Sequence, residues 1–219
     1  RQKAEEALEA DGFALKPLDQ TDPMWRALAQ LLETSDPGQL GTGRDASEYG
    51  EYNELQLASA WHIQHPQIEE RFHAAKNKVV NDMKLLDRRG VHSSCAQPSG
   101  LPVATARAAA GFALTPAASE SVLLHGTSSD VLLSVLTNGL NPNLCGTNAG
   151  TAFGEGVYLA EDVAKTDHYS EPDVGYDGSS ELHRRLYGDC NRHQGSVFYV
   201  LVCRALLGYP ARTTHYGRG

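Results

Sequence analysis

The sequence predicts an α+β domain on three observations. Short apolar runs alternate with segments of helical period, no internal repeat is evident, and 219 residues are ample for one sizeable core. Hydrophobic residues make up 41%, ordinary for a globular domain, and no apolar run approaches the ~20 residues of a membrane span.

The elements follow in chain order. Residues 11–21 read as a short strand and a loop, after which Asp22 can cap a helix that has Pro23 at its first position. Trp25, Leu28, Leu31 and Leu32 give that helix an apolar stripe, which stops near Ser35, Pro37 and Gly38. Residues 38–51 are rich in glycine and polar side chains and read as a loop. The positions Tyr52, Leu55, Leu57, Ser59, Trp61 and Ile63 are mostly apolar and recur at every second step from Leu55, the pattern of a half-buried strand. Pro66 opens a further helix, in which Ile68, Phe72, Ala75, Val79 and Met83 mark a face expected to be core.

Residues 88–120 dissolve into Ala, Ser, Pro and Gly, the composition of a linker or variable loop. A short helix is conceivable within residues 104–114. The run SVLLHG is an apolar strand; Ser128 or Ser129 can cap the helix after it, and Gly139 closes that helix where a left-handed residue is wanted. Residues 140–155 form a loop, followed by a short strand (GVYLA), a helical turn (EDVAKTDHY), a polar insertion over 170–194 and a long apolar strand (SVFYVLVCRALLG).

Charge narrows the function classes. Lys and Arg total 19 against 27 Asp and Glu, a formal charge of -8, so the basic footprint of a general nucleic-acid binder is missing overall. The opening RQKAEEALEADGF is charged, so no secretory leader is visible, and a start at Arg1 rather than Met implies a fragment or a processed chain. Four widely spaced cysteines, Cys95, Cys145, Cys190 and Cys203, suit a reducing compartment, and the nucleus or cytoplasm is the expected location. Cys203 reads as a small core hydrophobe. Cys190 with His183 and His193 could offer three ligands to zinc, but H-x6-C-x2-H fits no common finger and a fourth ligand is not evident; no metal is expected.

Three segments stand out together: His125, Gly126 and Thr127 in LLHGT; Phe153 to Ala160 in FGEGVYLA; and Lys165, Thr166 and Tyr169 in AKTDHY. Gly154 and Gly156 do not make a dinucleotide fingerprint, since Leu159 stands where its third glycine would fall and a strand-like run follows instead of a helix. In this order and spacing, the three segments resemble the catalytic domain of the poly(ADP-ribose) polymerase family, the diphtheria-toxin-like ADP-ribosyltransferases. The resemblance is sharp over residues 121–208, and Trp61 to Pro66 extends it more faintly upstream.

The resemblance implies two packed, mostly antiparallel sheets around an NAD cleft, with flanking helices. His125 would bond the adenosine ribose, Gly126 would offer backbone donor and acceptor to the nicotinamide carboxamide, and Thr127 would touch the same ribose. Tyr158 and Tyr169 would lie on either side of the nicotinamide ring, where stacking and the ring quadrupole favour a flat cation. Thr166 stands where the family usually has Ser and would grip the carboxamide. Lys165 would sit near the reacting ribose or the diphosphate, and Leu159 and Ala160 complete the cofactor-binding set. His125 and Tyr158 are the residues implied as catalytic. The implied chemistry is cleavage of the nicotinamide–ribose bond and capture of the cationic ribose by a protein acceptor, the chain itself included, with no metal required. A catalytically inactive module that binds NAD or ADP-ribose is the alternative. Elongating members carry a Glu on a later strand; no Asp or Glu follows Asp189 here, so that residue is expected beyond the visible C-terminus and the domain over 1–219 to be incomplete. The helical regulatory region of DNA-dependent members is not recognisable, and activation by DNA is not expected.

Overall fold

The computed structural model describes residues 12–42, 52–91, 111–142, 156–188, 193 and 195–210. Two antiparallel pairs and five α-helices make up the α+β architecture of these residues. Strands β1 (Ala14–Pro17) and β2 (Trp61–Gln64) form one pair; β3 (Glu120–Thr127) and β4 (Tyr199–Leu206) form the other. The helices are α1 (Pro23–Gln30), α2 (Pro66–Arg88), α3 (Ser129–Asn138), α4 (Val163–Asp167) and α5 (Glu181–Tyr187). No helix among the described residues is long and apolar enough to cross a membrane.

Strand β3 organises the core because both of its faces are covered. Successive side chains of a strand point to opposite faces. On one face, Val122 and Leu124 pack with Leu31 and Val163, joined by Leu28 of α1 and Val200 of β4. On the other face of the β3–β4 pair, Leu123 and Thr127 of β3 are buried, and Tyr199 of β4 packs with Phe13, Leu132 and Leu136 of α3, and Leu182, Leu186 and Tyr187 of α5. The β3–β4 register runs from Glu120↔Leu206 to Thr127↔Tyr199. A strand buried on both sides reads as a continuous apolar run rather than an alternation, as SVLLHG does.

Local signals place several elements where the sequence predicts them. Asp22 caps α1, its carboxylate accepting from the Met24 N–H at 2.8 Å with Pro23 beside it. Gly139 ends α3 with φ at +78°, in the region that favours glycine. Ser128 occupies the N-cap position of α3 without a side-chain capping bond.

Other expectations are corrected. The predicted strand from Tyr52 to Ile63 is confined to Trp61–Gln64, because β1 offers only four partners and ends at Pro17, which has no N–H to donate. No residue of α2 is buried among the described residues, so its Ile68, Phe72, Val79 and Met83 face is half-covered rather than core, and Ala75 is exposed. Periodicity reports that a face is apolar, not how deeply it is covered. GVYLA is not a strand: a single bridge, Ala160 to Leu124, is all the pairing it makes with β3. The polar insertion over 170–194 is no mere insertion, since α5 within it buries Leu182, His183, Leu186 and Tyr187. Arg88 ends α2, and Pro116–Ala118 form a 3-10 turn, so both ends of the supposed linker are structured; residues 92–110 lie outside the described residues. Cys203 is half-buried and free, and burial pushes its thiol up to about 11.

Candidate active site

The end of β3 carries His125, Gly126 and Thr127 beside the segment 156–160. Leu124 and Ala160 exchange both backbone bonds at 2.8 Å, which pins this segment along the edge of β3 away from β4. At the next residue of β3, the His125 Nδ1 lies 2.9 Å from the Tyr158 carbonyl oxygen. A carbonyl can only accept, so Nδ1 carries the proton and Nε2 presents a lone pair that can accept from a hydroxyl.

Gly126 follows from the same strand geometry. Backbone groups of alternate strand residues point to the same edge, so the Gly126 N–H and C=O face the edge that Leu124 uses to bind Ala160. Among the described residues no backbone bond continues the pairing there, which leaves an adjacent donor and acceptor at that edge. On its face, Gly126 meets α4 and the turn after it. A Cβ at this position would stand 2.4 Å from the Thr166 carbonyl oxygen and 2.5 Å from the Ser170 hydroxyl, so only glycine fits.

Helix α4 supplies the third segment. Asp162 caps it, accepting from the Ala164 N–H at 2.8 Å and from the Thr34 hydroxyl at 2.7 Å. Thr166 is 2% exposed, and its hydroxyl donates to the Asp162 carbonyl at 3.3 Å, keeping its lone pairs as acceptors. Lys165 is exposed, with Nζ 5.2 Å from the centroid of the Tyr169 ring, a cation–π contact. Tyr158 and Tyr169 are two of the large apolar side chains that remain exposed, at 38% and 46%. Thr127 is buried, and its hydroxyl lies 3.5 Å from the Ser128 carbonyl.

The structure therefore brings His125 to Tyr158, Gly126 to Thr166, and Lys165 to Tyr169, with Ala160 tying the first group to β3. A cavity of about 300 Å³ opens on another flank of α4, among Asp36, Gln39, Asp162, Ala164, Lys165 and His168. Of the predicted site residues described, Lys165 alone reaches it. The loop over 143–155, including Phe153, Gly154 and Glu155, lies outside the described residues.

Three supporting residues were not singled out from the sequence. Asp167 is buried and accepts from the Gly41 N–H at 2.9 Å and the Tyr52 hydroxyl at 2.7 Å, fixing two distant segments to α4. Ser170 is buried, and its hydroxyl donates to the Thr166 carbonyl at 3.2 Å. Asp162 was legible in principle, as an acid directly before the helical VAKTD. Asp167 and Ser170 gave no such signal, because their partners are set by packing.

Comparison with known proteins adds to this geometry. The family model of the poly(ADP-ribose) polymerase catalytic domain matches residues 43–213. The chain is 32% identical over 92 residues to the poly [ADP-ribose] polymerase tankyrase of Caenorhabditis elegans, a match over 41% of this chain and 3% of that protein. It is 36% identical over 81 residues to the protein mono-ADP-ribosyltransferase PARP12 of Mus musculus, over 37% of this chain and 11% of that protein. The chain thus spans a small part of the length of either relative. With the family model covering most of its residues, and with His125, Gly126, Tyr158 and Thr166 gathered around the end of β3, the chain belongs to the poly(ADP-ribose) polymerase catalytic-domain family.

Proposed function

We propose that this chain binds NAD at the end of β3, cleaves its nicotinamide–ribose bond and transfers ADP-ribose to protein acceptors, itself among them. The observation that carries the reading is the edge at Gly126, where no backbone partner is found among the described residues and a donor and an acceptor stand side by side, with Thr166 packed on the adjoining face. That pair matches a carboxamide, which also has one acceptor and donors at adjacent positions.

The residues present fit the group. Tyr158 and Tyr169 keep ring surface exposed for stacking, and the half-buried His125 keeps Nε2 as an acceptor nitrogen. NAD would supply the transferable ADP-ribosyl unit and a neutral leaving group. Gly126 grips the carboxamide through its backbone, and Thr166 accepts from the carboxamide amine while still donating to Asp162. His125, fixed by its bond to the Tyr158 carbonyl, accepts from a ribose hydroxyl and sets the sugar's orientation. Lys165, held over Tyr169, brings positive charge to the diphosphate side. Positioning of this kind can lower a barrier by ~7–11 kcal/mol without any acid or base touching the reacting bond.

Covalent labelling tests the proposal. Incubated with biotinylated NAD, the chain is expected to become labelled, and Tyr169→Ala to lose most of that label. Equal labelling by the variant would place the site elsewhere. Saturable NAD binding with no label on any acceptor would assign the site to recognition.

A further inference from the structure

Gly126 sits on three atoms of α4 and the turn after it. A Cβ at this position would meet the Thr166 carbonyl oxygen and the Ser170 hydroxyl first, and the Thr166 methyl at 3.1 Å. The glycine hydrogen that stands in for that Cβ therefore points at two oxygens, the Cα–H contact of closely packed backbones. The Thr166 hydroxyl is not among the three atoms. It donates back to the Asp162 carbonyl at 3.3 Å, so the side-chain oxygen on this face of Gly126 comes from Ser170.

The Ser170 hydroxyl ties the two oxygens together. It donates to the Thr166 carbonyl at 3.2 Å, and Ser170 and Thr166 are 4% and 2% exposed. The same carbonyl accepts from the Tyr169 N–H at 3.0 Å, and the Ser170 N–H donates to the Asp167 carbonyl at 3.0 Å. Two backbone bonds thus hold the turn without the hydroxyl, and removing it leaves no buried carbonyl without a partner. What the hydroxyl adds is a fixed spacing. Close-packed contacts pass a shift of either oxygen directly to the strand they touch.

That spacing has a consequence at the strand end. The Gly126 backbone and the Thr166 hydroxyl belong to two different elements, β3 and α4, and in the proposed site both grip one carboxamide. A carboxamide is rigid and planar, and hydrogen bonds weaken steeply away from good geometry. The height of α4 against β3 therefore decides whether both grips can be made at once.

We infer that Ser170 is a positioning residue that sets this height, and with it the selectivity of the strand end for a planar carboxamide. The inference rests on the proposed NAD site. Ser170 is too deeply buried to touch a ligand, so it acts through Gly126 and Thr166. Its influence is confined to the carboxamide end of NAD, because the ribose and diphosphate contacts fall to His125 and Lys165.

Two probes that divide NAD between them test the role, with the 219-residue chain and Ser170→Ala compared by calorimetry. Benzamide carries the planar carboxamide alone; ADP-ribose carries everything else. Ser170→Ala is expected to bind benzamide about three- to tenfold more weakly than the parent, and ADP-ribose with an affinity within about twofold of it. Retained ADP-ribose binding also reports that the variant is folded. Equal benzamide affinity in parent and variant would overturn the inference while leaving the site at the end of β3 in place. Loss of both probes in proportion would overturn it too, by making Ser170 a structural residue of the whole domain. A parent that binds ADP-ribose but not benzamide would overturn the inference together with the carboxamide grip, and a parent that binds neither would overturn the site itself.

Discussion

The His125 imidazole and the Tyr158 carbonyl, 33 positions apart in the chain, meet at 2.9 Å. One hydrogen bond thereby fixes which ring nitrogen of His125 carries the proton and which can accept. It also joins the first and second motif segments at the strand end, with the Leu124–Ala160 bridge as its neighbour. Motifs that are individually unremarkable become one site through this contact.

Gly126→Ala is expected to damage both stability and ligand binding. The added Cβ would meet a backbone oxygen at 2.4 Å, which cannot swing aside as a side chain can. Chemical denaturation should show a loss of about 1–3 kcal/mol. Binding of a nicotinamide mimic, measured by calorimetry, should weaken by about tenfold or more as α4 is pushed from the strand edge. Unchanged affinity would dissociate Gly126 from the site.

Asp167 holds the loop end at Gly41 and the Tyr52 hydroxyl against α4. Tyr52→Phe removes one of these bonds and should cost about 1 kcal/mol. Asp167→Ala leaves a buried N–H and a hydroxyl unmatched and should cost about 3 kcal/mol. Urea unfolding of both variants checks the ratio; equal effects would show that the Gly41 bond contributes nothing.

Acid sensitivity should centre on Glu120. Burial works to raise its carboxyl, but the Thr115 N–H and the Arg204 guanidinium, 2.5 Å away, outweigh it and hold the carboxyl below its ordinary 4.5. A carboxyl lowered in the folded state contributes stability above its unfolded value, and that contribution is lost as pH falls through the folded one. Stability is therefore expected to decline below about pH 4.5. Glu120→Gln should lower stability at neutral pH by about 1.5–3 kcal/mol and flatten the acid decline. A variant with the parent's acid slope would assign the decline to other carboxylates.

Much of the fold was legible where local chemistry decides it. Asp22 with Pro23, Gly139, and the apolar runs of β3 and β4 each announced their element, because capping, positive φ and two-sided burial leave marks in the sequence. The half-covered α2 was misjudged because an amphipathic period carries no measure of depth. Helix α5 was missed among polar neighbours, although Leu182 and Leu186 stand one turn apart between Ser180 and Gly188, which cap its two ends. At the site, the residue types and their order were readable; the open edge at Gly126 and the tautomer of His125 were not. Both depend on which strand edge Ala160 occupies, a matter of tertiary pairing. Ser170 was invisible for the same reason, since only folding brings its hydroxyl against Gly126.

Nicotinamide release from NAD tests the central claim most directly, with His125→Ala as the control. The account predicts release by the parent and a fall of about a hundredfold in the variant, whose thermal stability should change by less than about 1 kcal/mol. Release that is equal in parent and variant would contradict the assignment of His125 and, with it, the site at the end of β3.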